Sequence, residues 1–228
     1  MPLIVFDLDG TLIDSQRDIA ESANEMLETY GAPPRPVEEV VRMVGEGARI
    51  LVERALAAAG LDPREADALD RFKTIYDRRL LNHTLPYRGI PDVVQAAAAQ
   101  ASLAVLSNKP DAPTRRLLET FDLARHFTWI VGGDSAFPRK PDPAGLRHVM
   151  TEAGATTAST LLVGDSMIDV ETARRAGVRM CVVLYGFGAL RGDLVLSPTE
   201  EAGAAGQATD LGHAIERFLA RTRLSDRV

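Results

Sequence analysis

A chain of 228 residues, 46% hydrophobic and 25% charged, is long enough to bury a full core and suits one α/β domain with an insertion, or two small domains. Its net charge of -6, with Lys and Arg scattered and not gathered into a run, argues against nucleic acid as a partner. The longest apolar stretches are strand-length and no basic leader precedes the first one, so the expectation is a cytoplasmic protein with no membrane association.

The first element is the apolar run Leu3-Ile4-Val5-Phe6, read as a strand that ends in Asp7-Leu8-Asp9-Gly10-Thr11. In extended chain, side chains i and i+2 point the same way, so Asp7 and Asp9 would crowd one small site. Two like charges there need compensation: a protonated carboxyl, a nearby cation or a bound metal ion. Asp-Gly between apolar residues is also a hairpin signal. The next segment, however, runs from Asp14 to Tyr30 with Ile19, Ala23, Met26, Leu27 and Tyr30 at helical spacing, so the pattern is strand, loop, helix.

The interval from Asp14 to Arg88 is too long for one crossover helix. It is broken at Pro33-Pro34, Gly45, Gly60-Leu61-Asp62-Pro63 and Pro86, and carries apolar stripes at Val37, Val40, Val41 and Val44 and at Leu69, Phe72, Tyr76 and Leu80. It reads as an inserted helical cap, dividing the chain into core residues 1–13, cap residues 14–88 and core residues 89–228. Beyond it, strand-like runs at Leu103 to Ser107, Trp129 to Gly132, Thr160 to Gly164 and Arg179 to Leu184 alternate with helical patterns. That alternation predicts an α/β fold with a Rossmann-like parallel sheet. The stretch from Arg191 to Gln207 is rich in small and polar residues, and Leu211, Ile215, Phe218 and Leu219 fit a closing amphipathic helix. Cys181, the only cysteine, sits in an apolar run and reads as a buried structural thiol. His83, His126, His148 and His213 are dispersed, without metal-ligand spacing.

In an open parallel sheet, ligands bind outside the carboxyl ends of the strands. The chemically interesting residues fall where those ends should be: Asp7 after the first strand, Ser107-Asn108 after the second, Lys140-Pro141 before a helix, and Gly164-Asp165-Ser166 with Asp169 after the fourth. Each piece alone has a plain structural explanation, as a turn, a solvated cation or a helix cap. Taken in order, they resemble the four motifs of the haloacid dehalogenase superfamily of phosphotransferases, and the resemblance spans nearly the whole chain.

That resemblance implies a magnesium-dependent phosphate-monoester hydrolase. Asp7 would be the nucleophile, forming an aspartyl phosphate that splits hydrolysis into two easier transfers. Asp9 would protonate the leaving oxygen and then, ionised, take a proton from the attacking water. Magnesium suits carboxylate oxygens bridged to a phosphate; its implied ligands are the Asp7 side chain, the Asp9 backbone carbonyl and the Asp165 side chain, with Asp169 in support. Lys140 would balance the negative charge, while Ser107 and the Asn108 amide would donate to phosphate oxygens and Thr11 would contribute a hydroxyl.

The segment Val44-Gly45-Glu46-Gly47-Ala48-Arg49 resembles the cap segment of phosphoglycolate phosphatases, as do Ser107-Asn-Lys-Pro110 and Gly132-Gly-Asp134 in the core. The implied substrate is a small phosphorylated metabolite, 2-phosphoglycolate, with Gly45 and Gly47 allowing close backbone approach and Arg49 lying near the substrate carboxylate. An equal reading has the two glycines only breaking helices and Arg49 facing water. A sugar-phosphate phosphatase or mutase with the same core is the nearest alternative. A non-enzymatic phosphoacceptor is the alternative of another class, disfavoured by the cap insertion and by Asp9. Oligomeric state is not legible.

Overall fold

The computed structural model describes residues 1–192, 194–197, 200 and 204–225. Part of the small and polar stretch expected between Arg191 and Gln207 lies outside them.

The chain builds one five-stranded sheet from β1 (Leu3–Phe6), β4 (Ser102–Leu106), β5 (Trp129–Val131), β6 (Thr160–Gly164) and β7 (Arg179–Val182), in the order β5-β4-β1-β6-β7. Every pairing is parallel; Leu3 lies opposite both Ser102 and Thr160. All four β1 residues are completely buried, because a central parallel strand has helices over both faces and therefore needs apolar side chains in both directions. Ile4 and Phe6 pack on one face with Val105, Val163 and Cys181; Leu3 and Val5 pack on the other with Leu146, Val149 and Leu162. Cys181 is buried, and burial pushes its thiol up to about 12, consistent with an inert packing role.

The strands lie within two residues of where the sequence places them: β6 coincides, β4 is shifted one residue earlier, and β5 and β7 end one and two residues early. Crossovers are supplied by α5 (Ile90–Ala98), α6 (Asp111–Thr120), α7 (Ala144–Glu152) and α8 (Met167–Ala176), followed by the short α9 (Phe187–Arg191) and α10 (Ala208–Ser225). On α10, Leu211, Ile215, Phe218 and Leu219 are buried, as their spacing predicts.

The short helix α9 escaped sequence reading, as did a two-stranded ribbon. Ile13–Asp14 (β2) and Leu85–Pro86 (β3) form a two-stranded antiparallel ribbon, too short to leave a periodic signal. Between its strands lie α1 (Gln16–Glu28), α2 (Val37–Val41), α3 (Ala48–Ala58) and α4 (Ala68–Arg79), with α1 packed against α2, α3 and α4. Val40 and Val41 are buried on α2, whereas Val44 of the same predicted stripe falls beyond the helix, where the chain turns towards Gly45. The ribbon brings the two ends of this segment together at residues 13–14 and 85–86.

A buried carboxylate pins the returning end. Asp18 on α1 has no exposed surface, and its Oδ2 accepts the backbone N–H of His83 (2.9 Å), the N–H of Thr84 (2.8 Å) and the Thr84 hydroxyl (2.7 Å). Removing the carboxylate strands three donors away from water, each worth on the order of 1–3 kcal/mol when unpaired. We expect Asp18→Ala to lower unfolding stability by about 2–4 kcal/mol, read as a reduced urea midpoint at unchanged m-value.

Candidate active site

The carboxyl ends of β1, β4 and β6 converge on one edge of the sheet, and there the charged motif residues meet. Asp7 directly follows β1, its N–H donating to Val163 O at 2.9 Å across to β6. The Lys140 ammonium lies 2.8 Å from Asp7 Oδ1 and 2.6 Å from Asp169 Oδ1, almost wholly buried. Asp169, three residues into the capping box that opens α8, accepts the Ser166 N–H (3.2 Å) and hydroxyl (2.6 Å) on its other oxygen. Both Asp169 oxygens are thus occupied by protein donors, which leaves it a supporting position. Asp165, by contrast, accepts the Gly188 N–H (3.0 Å) on Oδ2 and a long bond from the Thr11 hydroxyl (3.4 Å) on Oδ1.

Asp7, Asp165 and Asp169 each offer an oxygen within 4.8 Å of the others'. Three carboxylates against one ammonium leave an excess of negative charge in a desolvated place. Burial, with the Asp169 and Asp7 charges added, pushes Asp165 up to about 8. Burial raises Asp7 to about 6, with Lys140 pulling it down and Asp169 pushing it up. Burial also works against the Lys140 ammonium, but Asp169 and Asp7 more than offset this and hold it charged. Oxygen donors in charge excess, one of them incompletely bonded, fit a hard divalent cation.

Asp9 behaves differently from the sequence expectation of two carboxylates crowded together. Its side chain is drawn to another cation: Lys109 Nζ lies 3.0 and 3.1 Å from the two Asp9 oxygens, and the Ser15 hydroxyl donates to Oδ1 at 2.5 Å. The third Lys109 donor goes to Tyr76 Oη on α4, at 2.6 Å, with the ammonium 4.5 Å from the ring centroid. Burial disfavours the Lys109 charge, but Asp9 and Tyr76 reverse the effect, so this lysine also stays protonated. Burial pushes the Tyr76 phenol up to about 12, and it stays neutral. Of the compensations open at the sequence level, nearby cations are the ones found, one lysine for each carboxylate.

Asp7, Asp9, Ser107, Asn108, Asp165, Gly45, Gly47 and Arg49 all border one cleft of about 460 Å³. Thr11 is fully buried beneath it, and Lys140 supports it from behind Asp7. Asn108 Nδ2 donates to Lys140 O and to Gly45 O, both at 2.9 Å, so its side chain joins the sheet edge to the glycine loop. Arg191 Nη1 donates to Val44 O at 2.6 Å from the same side. The loop approaches so closely that a Cβ on Gly45 would lie 2.7 Å from Arg191 Nη1, and one on Gly47 3.1 Å from Arg139 Nη1; both glycines have positive φ, +126° and +93°. The loop backbone therefore packs closely against these two arginines, and Gly47 also caps α3. Arg49 sits exposed at the cleft border.

Lys109, Tyr76, Arg139 and Arg191 do not stand out in the sequence. Lys109 falls within the Ser107-Asn-Lys-Pro110 stretch that carries the family resemblance, but that stretch gives it no role; the need of Asp9 for a countercharge is the physical hint.

The raised carboxylates carry a pH signature. An Asp165 that ionises near pH 4 when unfolded but near 8 when folded stabilises the metal-free protein below pH 4, and that contribution is lost as pH rises towards 8. Asp165→Asn should flatten this fall and raise the metal-free Tm at pH 8.5 by several degrees, at roughly 2–4 °C per kcal/mol for a chain of this size. The divalent-ion-dependent gain in Tm should disappear in the same variant, as read by scanning calorimetry.

Residues 4–183 match the family described as haloacid dehalogenase-like hydrolase. Phosphoglycolate phosphatase 1 of Pseudomonas aeruginosa is 40% identical over 192 residues, covering 81% of this chain and 70% of its own. Phosphoglycolate phosphatase of Rhodospirillum rubrum is 42% identical over 193 residues, covering 81% and 80%. The crystal structure of a predicted phosphoglycolate phosphatase from Haemophilus somnus superimposes with a TM-score of 0.83 at 28% identity, over 92% of this chain and 96% of the other. With its parallel sheet and clustered strand-end carboxylates, the chain belongs to the haloacid dehalogenase-like hydrolases and is a phosphatase similar to the phosphoglycolate phosphatases.

Proposed function

We propose that this protein hydrolyses 2-phosphoglycolate to glycolate and phosphate through an aspartyl phosphate on Asp7, with magnesium as its cofactor. The observation that carries the reading is the buried Lys140 ammonium, 2.8 Å from Asp7 Oδ1 on the border of an open cleft. It fixes one carboxylate oxygen and leaves the Asp7 side chain directed at incoming substrate, while Asp165 and Asp169 set the charge around it.

A phosphate monoester is a dianion with a poor alkoxide leaving group, so the site must neutralise charge, align a nucleophile and supply a proton. The Asp7 and Asp165 carboxylates and the Asp9 carbonyl would hold the magnesium ion, which would supply charge neutralisation for the phosphoryl group. The Ser107 hydroxyl and the Asn108 amide donate to the phosphoryl group. Asp7 attacks phosphorus, the phosphorus–oxygen ester bond breaks, and protonated Asp9 gives its proton to the departing glycolate oxygen. Ionised Asp9 then takes a proton from water, which attacks the phosphorus and restores the Asp7 carboxylate.

The helices between β2 and β3 act as a cap in this reading. They roof the cleft, and Asn108 and Arg191 grip the backbone of the Val44–Gly47 loop from the core side. Closing the roof excludes water while Asp7 is being phosphorylated. Two features support 2-phosphoglycolate: relatives bearing that name at about 40% identity over most of the chain, and a cleft whose border carries several cations beside the nucleophile.

Phosphate release from 2-phosphoglycolate with added magnesium, compared by kcat/KM with glucose 1-phosphate, pyrophosphate and nucleoside monophosphates, tests the assignment. We expect a clear preference for 2-phosphoglycolate and a loss of roughly a thousandfold or more in Asp7→Asn. Preference for another ester with Asp7 still required would retain the mechanism and discard the substrate. Absence of Asp7-dependent release from all of them, with stable labelling of Asp7, would favour a phosphoacceptor.

A further inference from the structure

The proposed chemistry accounts for Lys140 but leaves a second buried lysine without a task. Lys109 is 8% exposed and spends all three ammonium hydrogens on Asp9 and Tyr76. Such a bond holds Asp9 away from the role of proton donor, because a carboxyl group that must reach the ester oxygen cannot at the same time be fully engaged by an ammonium. Something must take the place of Asp9 when substrate is present.

The substrate itself carries a suitable group. In 2-phosphoglycolate the carboxylate carbon lies two bonds beyond the ester oxygen that Asp9 protonates. A carboxylate so placed falls in the immediate surroundings of Asp9, where Lys109 Nζ sits 3.0 Å away. The other cations bordering the cleft are less well placed. Arg49 is exposed; Lys73 is half-exposed and 3.6 Å from Asp70; Arg139 Nε donates to Gly133 O; Arg191 Nη1 donates to Val44 O. A desolvated ammonium also interacts more strongly with an anion than a hydrated guanidinium does.

Resting on the phosphatase reading, we propose that Lys109, aimed by Tyr76, is the specificity-determining cation: it receives the substrate carboxylate in exchange for Asp9, whose carboxyl group is thereby freed to turn to the ester oxygen; the proton delivered there comes from solvent in the open cleft, and Lys109 remains an ammonium throughout. A neutral ester of the same size gives Lys109 no replacement partner, so Asp9 stays engaged and turnover is slow. Discrimination then appears in the catalytic step as well as in binding, since the anion both docks and frees the acid. Tyr76 comes from α4, so the selecting cation is oriented by the roof of the cleft and anchored in its floor.

The test compares kcat/KM for 2-phosphoglycolate and for 2-hydroxyethyl phosphate, which replaces the carboxylate by a neutral alcohol, in the magnesium-supplied full-length protein. We expect the unaltered enzyme to prefer the carboxylate ester. Lys109→Met should lower that ratio at least about tenfold, the loss of one charge-assisted contact, and Tyr76→Phe should lower it about threefold in the same direction, mostly in kcat. If Lys109→Met does not fold, Tyr76→Phe decides. Equal losses on both esters in Tyr76→Phe, a ratio preserved in the folded Lys109 variant, or a collapse produced by Arg49→Ala in its place would overturn the inference and leave the phosphatase reading standing. Failure of the unaltered protein to release phosphate from either ester in an Asp7-dependent manner would overturn that reading instead.

Discussion

The Lys140 ammonium between Asp7 and Asp169 is the constraint around which the site is built. Three carboxylates within a few ångströms of each other at the end of a buried strand would repel strongly in so dry a place. Lys140 makes that cluster tolerable without neutralising it: it bridges two of the three and leaves Asp165 in excess. The residual strain is electrostatic, and a site short of positive charge suits a divalent cation. Removing the ammonium would leave buried carboxylates unpaired, so the same contact underlies the folded arrangement and the chemistry.

The sheet supplies the other half of that constraint. Parallel pairing of β1 with β4 and β6 in the same register brings the ends of three strands level, which places Asp7, Ser107 and Asp165 beside one another although they lie far apart along the chain. The antiparallel ribbon at residues 13–14 and 85–86 then returns the helical segment to the same edge, where the glycine loop is gripped by Asn108 and Arg191. Floor and roof of the cleft are thus tied by hydrogen bonds to backbone carbonyls, which depend on the position of the loop and not on its side chains.

Much of this is legible in the sequence, and the parts that are not have a common cause. The five core strands are apolar runs whose burial on both faces demands that composition, so they stand out; the ribbon has two residues per strand and no period to read. Asp7, Lys140, Asp165 and Asp169 are legible because they recur in motif order at strand ends. Lys109 and Tyr76 are not, because their importance lies in pairings 100 and 33 residues apart that become visible only when β1, β4 and α4 are brought together. The expectation that Asp7 and Asp9 share one crowded site rests on extended-strand geometry; β1 ends at Phe6 and the chain bends at Leu8 between the two carboxylates, so both border one cleft but pair with different lysines. Gly45 and Gly47 admit two readings in the sequence, and both features are present: the glycines lie between α2 and α3, with Gly47 capping α3, and their backbone also borders the cleft against Arg191 and Arg139.

In the proposed mechanism, the separation of Asp7 and Asp9 onto different lysines matches the opposite demands on two neighbouring carboxylates. A nucleophile has to remain ionised and fixed, and Lys140, braced by Asp169 and buried on every side, provides a permanent partner. A group that first gives and later takes a proton has to change both its charge and its contacts, so a permanent partner would defeat it. Lys109 is a partner of another kind: it lines the open cleft, where a ligand can reach it, and its third contact is a neutral phenol and not a second carboxylate. With Lys140 buried behind Asp7 and Lys109 on the lining of the cleft, two chemically identical side chains, two residues apart, would serve the opposite requirements of the proposed mechanism.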